Sequence, residues 1–214
     1  YKNDPFGLIP VVLGHEGSGE IVKIGANVKR DMLGKSLNVG DKVVTCVTLK
    51  GSDEFTTLKP ERANLSDGAE VYGLLPDDDY RFNGWFGDYI ILRKGSSIFN
   101  VNDLSLDARL LVEPFAVSMH AVERAKATGL ISFGTPVLVQ GCGPIGLTVV
   151  AVLATMGVQN IIAVDGDAQR LEMAREFGAN TTVNFKDFAS FSGEGVSAFL
   201  VAVSYTHLRA HETD

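Results

Sequence analysis

A glycine-rich segment has the residue types and spacing of a phosphate-binding loop. It reads Gly141-Cys142-Gly143-Pro144-Ile145-Gly146, and it stands between an apolar run that predicts a strand and a segment that predicts a helix. Gly141 would permit the tight turn, Gly143 would let the backbone approach a pyrophosphate, and Gly146 would let helix and strand pack closely. The segment predicts dinucleotide binding, and the alternative is a glycine-rich turn of some other α/β protein.

An acidic residue, Asp165, stands at the end of the next predicted strand, about 20 residues after the glycine motif. A carboxylate there accepts hydrogen bonds from ribose hydroxyls and repels a 2′-phosphate, which favours NAD over NADP. Arg170 is near enough to leave NADP open, although it can equally be a solvated helix residue. The predicted cofactor-binding residues are Gly141, Gly143, Pro144, Ile145, Gly146, Asp165 and Arg170.

The segments around this motif alternate between strand and helix patterns. Glu113-Pro114 opens a predicted helix that Gly129 can end. Predicted strands follow at residues 136–140, 160–164, 181–184 and 199–203, with predicted helices at 144–156 and 168–177. This βαβαβ order is half of a doubly wound Rossmann domain, and the fold class is α/β.

The first 110 residues show a different pattern of short β-like runs punctuated by glycine. Runs at 19–25, 41–45 and 88–92 predict strands of a small, irregular β unit. Residues 48–86 sustain neither a helical nor a strand period, and they predict an exposed lobe or insertion.

Composition excludes several classes of function. A net charge of -7 provides no basic surface for nucleic acid or anionic lipid, and no apolar run approaches the length of a membrane span. Two distant cysteines, Cys46 and Cys142, argue against a disulfide framework. We therefore predict a cytoplasmic protein that acts on small molecules, with neither a nucleic-acid nor a membrane partner.

A further motif, Gly14-His15-Glu16-Gly17-Ser18-Gly19, is followed by Gly25 and Val28. It resembles the signature of the zinc-containing medium-chain alcohol dehydrogenases, and the resemblance continues through residues 40–44, 87–90, 112–114 and 141–146. Glu113-Pro114 in particular resembles the sorbitol (L-iditol) and threitol dehydrogenases. The resemblance implies a partial GroES-like catalytic domain at 1–128 and the first half of a Rossmann domain at 129–203.

The resemblance also implies a catalytic zinc site. In it His15 is a zinc ligand, and Glu16 and Glu113 complete the carboxylate and water shell. A zinc ion with an open position would bind the substrate hydroxyl and lower its pKa, so that hydride can pass to NAD. Without the resemblance, His15 would be a turn histidine and Glu113 a solvated acid in a first helical turn. His120 is predicted to be a packed or outer-shell residue and not a ligand.

The chain departs from the family in several places. The family's zinc cysteine lies upstream of the Gly14-His15-Glu16 motif, and residues 47–86 contain no cysteine for a structural zinc. We expect a chain truncated at both ends, with residues 204–214 forming a non-native tail. We also expect this chain to be poorly stable and inactive by itself, and the complete protein to be a homo-oligomer.

The predicted activity is that of a zinc-dependent oxidoreductase, an enzyme that transfers hydride from a secondary alcohol or polyol to NAD. One alternative is a non-catalytic dinucleotide-binding or redox-sensing protein on the same fold. Another is a zinc-free relative of the quinone reductases, which His15-Glu16 argues against.

Overall fold

The structure, a computed structural model, describes residues 10–49, 70–79, 82–131 and 134–187. The chain divides into two units, Tyr1–Glu113 and Pro114–Asp214. This division comes earlier than the predicted boundary after residue 128, because Phe115 and Val122 already pack into the core of the second unit. The boundaries 1–128 and 129–203 stay predictions.

The first unit contains an antiparallel sheet with the strand order β1-β2-β5. Its strands are β1 (Ser18–Glu20), β2 (Lys42–Thr45) and β5 (Ile98–Asn100). Two shorter strands, β3 (Thr48–Leu49) and β4 (Glu70–Val71), pair with each other. The strand predicted at 41–45 is confirmed, whereas in the run predicted at 19–25 the strand ends at Glu20.

The strand predicted at 88–92 is wrong. Its alternation is real, since Ile91 is exposed while Ile90 and Leu92 pack against a buried cluster of Leu49, Tyr72 and Leu75. The alternation of apolar residues therefore reflects the burial of every second side chain. No neighbouring strand pairs with this segment in the part of the chain that the structure describes.

The prediction of an exposed lobe is wrong for part of the described residues of 48–86, although Phe82 and Phe86 are exposed. Tyr72 and Asn83 are fully buried, and the side chain of Trp85 lies close to Gly17 and Gly19. The sequence shows no apolar pattern for this core, because it contains polar residues and glycines. Asn83, for example, is buried because its polar groups form hydrogen bonds. Residues 50–69, 80 and 81 lie outside the described residues.

The carboxylate of Asp31 fastens a turn to the antiparallel sheet. Its Oδ1 accepts hydrogen bonds from the N–H groups of Leu33 and Lys35, and its Oδ2 accepts one from Asn100 in β5, at 2.9 Å. The Asn100 hydrogen bond lowers the pKa of Asp31 most; burial opposes it, and the N–H groups of Lys35 and Leu33 lower it further. Asp31 is therefore an ionised, buried anchor of the first unit.

Two helices lie near the junction of the units. Helix α1 (Leu106–Leu110), which the sequence analysis did not predict, is capped by the Ser105 hydroxyl. Helix α2 (Val112–Lys126) confirms the predicted helix, and Gly129, with a φ of 75°, follows its end.

The second unit has the predicted βαβαβ order. Its elements are β6 (Val137–Gln140), α3 (Pro144–Thr155), β7 (Ile161–Asp165), α4 (Ala168–Glu176) and β8 (Thr181–Asn184), followed by a 3-10 turn (Phe185–Asp187). The strands are parallel in the order β6-β7-β8, and Val139, Val150 and Ile161 lie in the core. The strand predicted at 199–203 and the tail at 204–214 lie outside the described residues. None of the described helices has the length and apolar character that crossing a bilayer requires.

We expect Asp31→Asn to destabilise the chain near neutral pH. An amide has only one acceptor oxygen for the three N–H groups, and its NH₂ group would face at least one of these N–H groups, donor against donor. Since the folded-state pKa of Asp31 is lowered, its contribution is complete above the unfolded pKa of about 3.9 and is lost as the pH falls through the folded pKa. The variant should therefore lose less stability on acidification than the parent chain. Urea unfolding from about pH 3 to 7 measures both effects.

The matched control is Asp103→Asn, which removes an ion pair with Lys35 from a side chain that is 83% exposed. It should change the stability by less than about 1 kcal/mol, as exposed pairs do. Identical unfolding of the Asp31 variant and the parent chain at every pH would contradict the anchoring role.

Candidate metal and dinucleotide sites

Three side chains of the first unit converge into what we call the His15 cluster, namely His15, Glu16 and Glu113. One ligand atom from each lies within 4.8 Å of the others, and His15 Nε2 is 4.0 Å from Glu113 Oε1. His15 and Glu113 are half-buried and Glu16 is exposed. It is the one group of three or more potential metal ligands among the described residues.

The cluster is assembled from a loop and a helix. His15 and Glu16 lie on residues 10–17, the His15 loop, which leads into β1, and Glu113 is the second residue of helix α2. Three backbone hydrogen bonds hold the loop, from Asp77 N to Pro10 O at 2.7 Å, from Trp85 N to Gly14 O at 3.0 Å and from Phe86 N to Leu13 O at 2.9 Å. Tertiary structure therefore brings Glu113 to His15 and Glu16, which lie almost 100 residues earlier along the chain.

The donor set fits a zinc ion. Zinc takes imidazole nitrogen and carboxylate oxygen at roughly 2.0–2.2 Å, and catalytic sites commonly use three protein ligands. Ligand atoms on a tetrahedral zinc lie about 3.4 Å apart, so that the three atoms have to close by roughly 1 Å. Rotation of side chains that are partly in solvent can supply this movement.

His120 lies outside this cluster. The sequence analysis predicted a packed or outer-shell histidine, but its side chain is exposed on helix α2. The prediction that it is packed is wrong, and its exclusion from the ligand set stays a prediction.

The glycine motif forms the connection from β6 to α3, as predicted. Gly141 has a φ of 89°, and Gly143 is the N-cap of α3 with no side-chain cap. A Cβ on Gly146 would lie 1.8 Å from Gly141 O, whereas a Cβ on Gly143 would meet nothing within 4 Å. Gly146 thus serves packing, and the space at Gly143 is open to a ligand in front of the helix N-terminus.

Asp165 lies at the end of β7 and is hydrogen bonded to the glycine loop. Its Oδ2 accepts from Cys142 N at 2.7 Å, and its Oδ1 accepts from Asp167 N at 2.9 Å. Burial raises the pKa of Asp165, but the N–H groups of Cys142, Asp167 and Gly166, with the charge of Arg170, outweigh it and lower the pKa overall. Asp165 is therefore an anion, and its carboxylate keeps acceptor capacity for a hydroxyl donor.

Arg170 lies in the first turn of α4 with an exposed side chain. Its N–H donates to Asp167 Oδ1 at 3.2 Å, and its charge lowers the pKa of Asp165. Asp167 is the N-cap of α4, a structural role that an aspartate before a helical segment could have revealed in the sequence.

The thiol of Cys142, within the glycine loop, is buried. Burial, together with the negative charge of Asp165, raises the pKa of Cys142 to about 11, while Arg170 opposes the shift. A position near a helix N-terminus can lower a thiol pKa, but here desolvation prevails.

The sequence analysis missed residues 83–86, which we call the Trp85 loop. Its Trp85 and Phe86 hold the His15 loop, and a Cβ on Gly84 would lie 1.8 Å from Val12 O. The Gly84-Trp85-Phe86-Gly87 sequence was a possible signal, because small residues around an aromatic pair indicate close backbone packing.

Two protein families match most of the described chain. Residues 2–103 match the family described as alcohol dehydrogenase GroES-like domain, and residues 144–207 match the family described as zinc-binding dehydrogenase. The second match ends inside the segment predicted to be a tail. Both domain types agree with the predicted fold class.

Individual relatives agree with these families. The chain is 32% identical over 183 residues to sorbitol dehydrogenase of Bacillus subtilis and 35% identical over 179 residues to D-xylulose reductase of Saccharomyces cerevisiae, in each case over 83% of this chain and 46% of the relative. The crystal structure of an alcohol dehydrogenase from Thermotoga maritima matches with a TM-score of 0.77 and 28% identity, over 87% of this chain and 51% of that one. The chain thus spans about half the length of the curated relatives that it matches.

We expect iodoacetamide at about pH 8 to label Cys46, which is exposed, and to spare Cys142 in the folded chain. With a pKa of about 11, roughly one Cys142 thiol in a thousand is ionised at that pH, and the thiol is also shielded from the reagent. Intact-mass measurement should show one adduct before denaturation and two after it. The Cys46→Ser variant provides the control, since rapid labelling of its folded form would contradict the buried, protonated thiol.

Proposed function

Because the chain belongs to the zinc-binding alcohol dehydrogenase family, we propose that it supplies the zinc ligands and the dinucleotide loop of an enzyme that oxidises a secondary alcohol or polyol with NAD. The observation that carries the proposal is the convergence of the His15 cluster, whose members lie within 4.8 Å of one another. A second site on the same chain, the loop from β6 to α3, has the geometry of a dinucleotide-binding turn.

The His15 cluster would hold the zinc ion. His15 supplies a neutral imidazole nitrogen, and Glu16 and Glu113 supply carboxylate oxygens that balance the ion's charge. Bound there, zinc would provide a Lewis acid that lowers the pKa of a substrate hydroxyl, and NAD would provide the hydride acceptor. Glu113 lies in the first turn of α2, where the helix N-terminus favours negative charge, and its carboxylate oxygens could bind a cation or accept a hydrogen bond from water.

The glycine loop would hold the cofactor's pyrophosphate. Gly143 and the first turn of α3 present backbone N–H groups to an anion, and the open space at Gly143 lets that anion approach. Pro144 at the first position of α3 fixes the start of the helix, and Ile145 packs against the core behind it.

Asp165 supports NAD as the cofactor. Its lowered pKa keeps the carboxylate ionised at the position expected for the adenosine ribose. There the carboxylate would accept hydrogen bonds from the ribose hydroxyls and repel a 2′-phosphate. The positive charge of Arg170 lowers the pKa of Asp165 further and thereby favours the anion. The preference for NAD therefore depends on the fixed Asp165 carboxylate.

The substrate class is proposed from the relatives. Sorbitol dehydrogenase and D-xylulose reductase are named for polyols and ketoses, and (R,R)-butanediol dehydrogenase of Bacillus subtilis is named for a vicinal diol. Such compounds carry adjacent hydroxyls, which suits a metal centre with a half-exposed histidine. Homo-oligomerisation and a cytoplasmic location stay predictions from the sequence and the family.

The test is the rate of NADH formation by the full-length protein that carries this chain, with a panel of polyols and simple secondary alcohols. Zinc content is measured on the same sample, and NADP is compared with NAD. About one zinc at the His15 cluster with NADH formation would establish the dehydrogenase. Dinucleotide binding without zinc and without turnover would support the non-catalytic alternative instead.

We expect His15→Ala to weaken zinc binding by the chain by about 100-fold or more, since loss of an outer-shell partner alone costs about 10–100-fold. Competition with a chromophoric chelator measures the affinity. His120→Ala is the matched control, because it removes an exposed histidine outside the cluster, and its zinc affinity should equal that of the parent chain. Equal losses in the two variants would point to nonspecific histidine binding.

Two glycine variants separate packing from cofactor binding. Gly143→Ala should leave the Tm unchanged and weaken NAD binding by about 10-fold, because its methyl group enters open space at the proposed pyrophosphate site. Gly146→Ala should lower the Tm by several degrees, because its Cβ would overlap Gly141 O. Thermal unfolding and NAD titration measure the two effects, and unchanged NAD affinity in Gly143→Ala would contradict the assigned position of the cofactor.

A further inference from the structure

A buried polar network lies behind the Trp85 loop, and its centre is Asn83, which is fully buried. The Asn83 backbone N–H donates to Asp77 Oδ1 at 2.8 Å, and its carbonyl accepts from Gly73 N at 2.6 Å. Its side-chain Nδ2 donates to Pro76 O at 2.8 Å, and its Oδ1 accepts from Arg93 Nε at 3.0 Å. Both its backbone and its side chain are thus fixed, and Asn83 sets where the Trp85 loop begins.

Arg93 is the charged member of this network. Besides Asn83, its guanidinium donates to Asp78 Oδ2 at 3.2 Å and lies 3.8 Å from Glu70, and its side chain is only 19% exposed. Its backbone N–H donates to the hydroxyl of the buried Tyr72 at 2.7 Å. A guanidinium fork that serves several acceptors in fixed directions cannot be replaced by an ammonium group without loss.

The Trp85 loop contacts the His15 loop, which carries two of the candidate metal ligands. Directly after Asn83, Gly84 approaches Val12 O so closely that any side chain would collide with it, and Trp85 and Phe86 donate to Gly14 and Leu13. The next residues are His15 and Glu16. The His15 loop has no regular secondary structure of its own, and its position depends on these contacts.

We propose that Arg93 is a positioning residue for the metal site: through Asn83 it holds the Trp85 loop, and the Trp85 loop holds His15 and Glu16 at the spacing needed for a divalent cation. The proposal rests on the proposed function of the His15 cluster. It assigns a role to an arginine whose partners are Asn83, Asp78 and Glu70, directly after the segment 88–92 that the sequence predicts as a strand.

The test uses the full chain and the variant Arg93→Lys, which keeps the charge and loses the fork. In the metal-free chain, the amides of Trp85 and Phe86 should exchange with solvent about 10-fold faster than in the parent, because their hydrogen bonds to the His15 loop open more often. Trp85 is the single tryptophan of the chain, so that its fluorescence reports the same loop. Affinity for Co²⁺ should fall by about 10-fold, as on loss of an outer-shell partner, with a changed d–d absorption spectrum.

Asp31→Asn is the matched control. It weakens the same unit at a carboxylate whose hydrogen bonds go to Leu33, Lys35 and Asn100 and not to residues 83–86, and under conditions where both variants are folded it should keep the parent's Co²⁺ affinity and amide exchange. Should Arg93→Lys fail to fold, Asp78→Ala removes one acceptor of the guanidinium and should change both readouts in the same direction by about 3-fold.

Parent-like Co²⁺ affinity, spectrum and amide exchange in the Arg93 or Asp78 variant would overturn the proposal, and so would equal losses in the Asp31 control. A parent chain that binds no Co²⁺, or binds it equally after His15→Ala, would instead overturn the proposed metal function. In that case amide exchange still decides whether Arg93 holds the Trp85 loop.

Discussion

Close approach of backbone to backbone is the constraint on which both candidate sites depend. In the first unit, Gly84 lies against the carbonyl of Val12, and in the second, Gly146 lies against the carbonyl of Gly141. A Cβ at either glycine would lie 1.8 Å from the facing oxygen, far inside van der Waals contact. The first contact places the His15 loop against the Trp85 loop, and the second places the glycine loop against helix α3. The position of each candidate site therefore depends on the segment that packs against it.

The two units secure these loops by different means. In the second unit an apolar core beneath a parallel sheet fixes β6 and α3, and the glycine loop simply connects them. In the first unit the described core is small, and the Trp85 loop depends on hydrogen bonds of Asn83 and Arg93 instead. A buried polar network of this kind is stable only while every member is paired, which makes it sensitive to single substitutions.

Fixed negative charge is common to both sites. Asp165 stays ionised because backbone N–H groups bind its carboxylate, and Glu113 lies in the first turn of a helix, where negative charge is favoured. One charge is suited to ribose hydroxyls and the other to a metal ion. The Cys142 thiol beside Asp165 shows the opposite effect, since the same anion and burial keep it protonated.

The sequence by itself determined the parallel βαβαβ unit, its glycine loop and Asp165, because these features lie close together along the chain and each element has its own period of apolar residues. It also identified His15, Glu16 and Glu113, but through resemblance to a family and not through their spacing. Only the tertiary structure decided that these three residues meet, that residues 88–92 pack without forming a strand, and that Asn83 is buried. These outcomes depend on hydrogen bonds and contacts between segments distant in sequence, which no local pattern of hydrophobicity records.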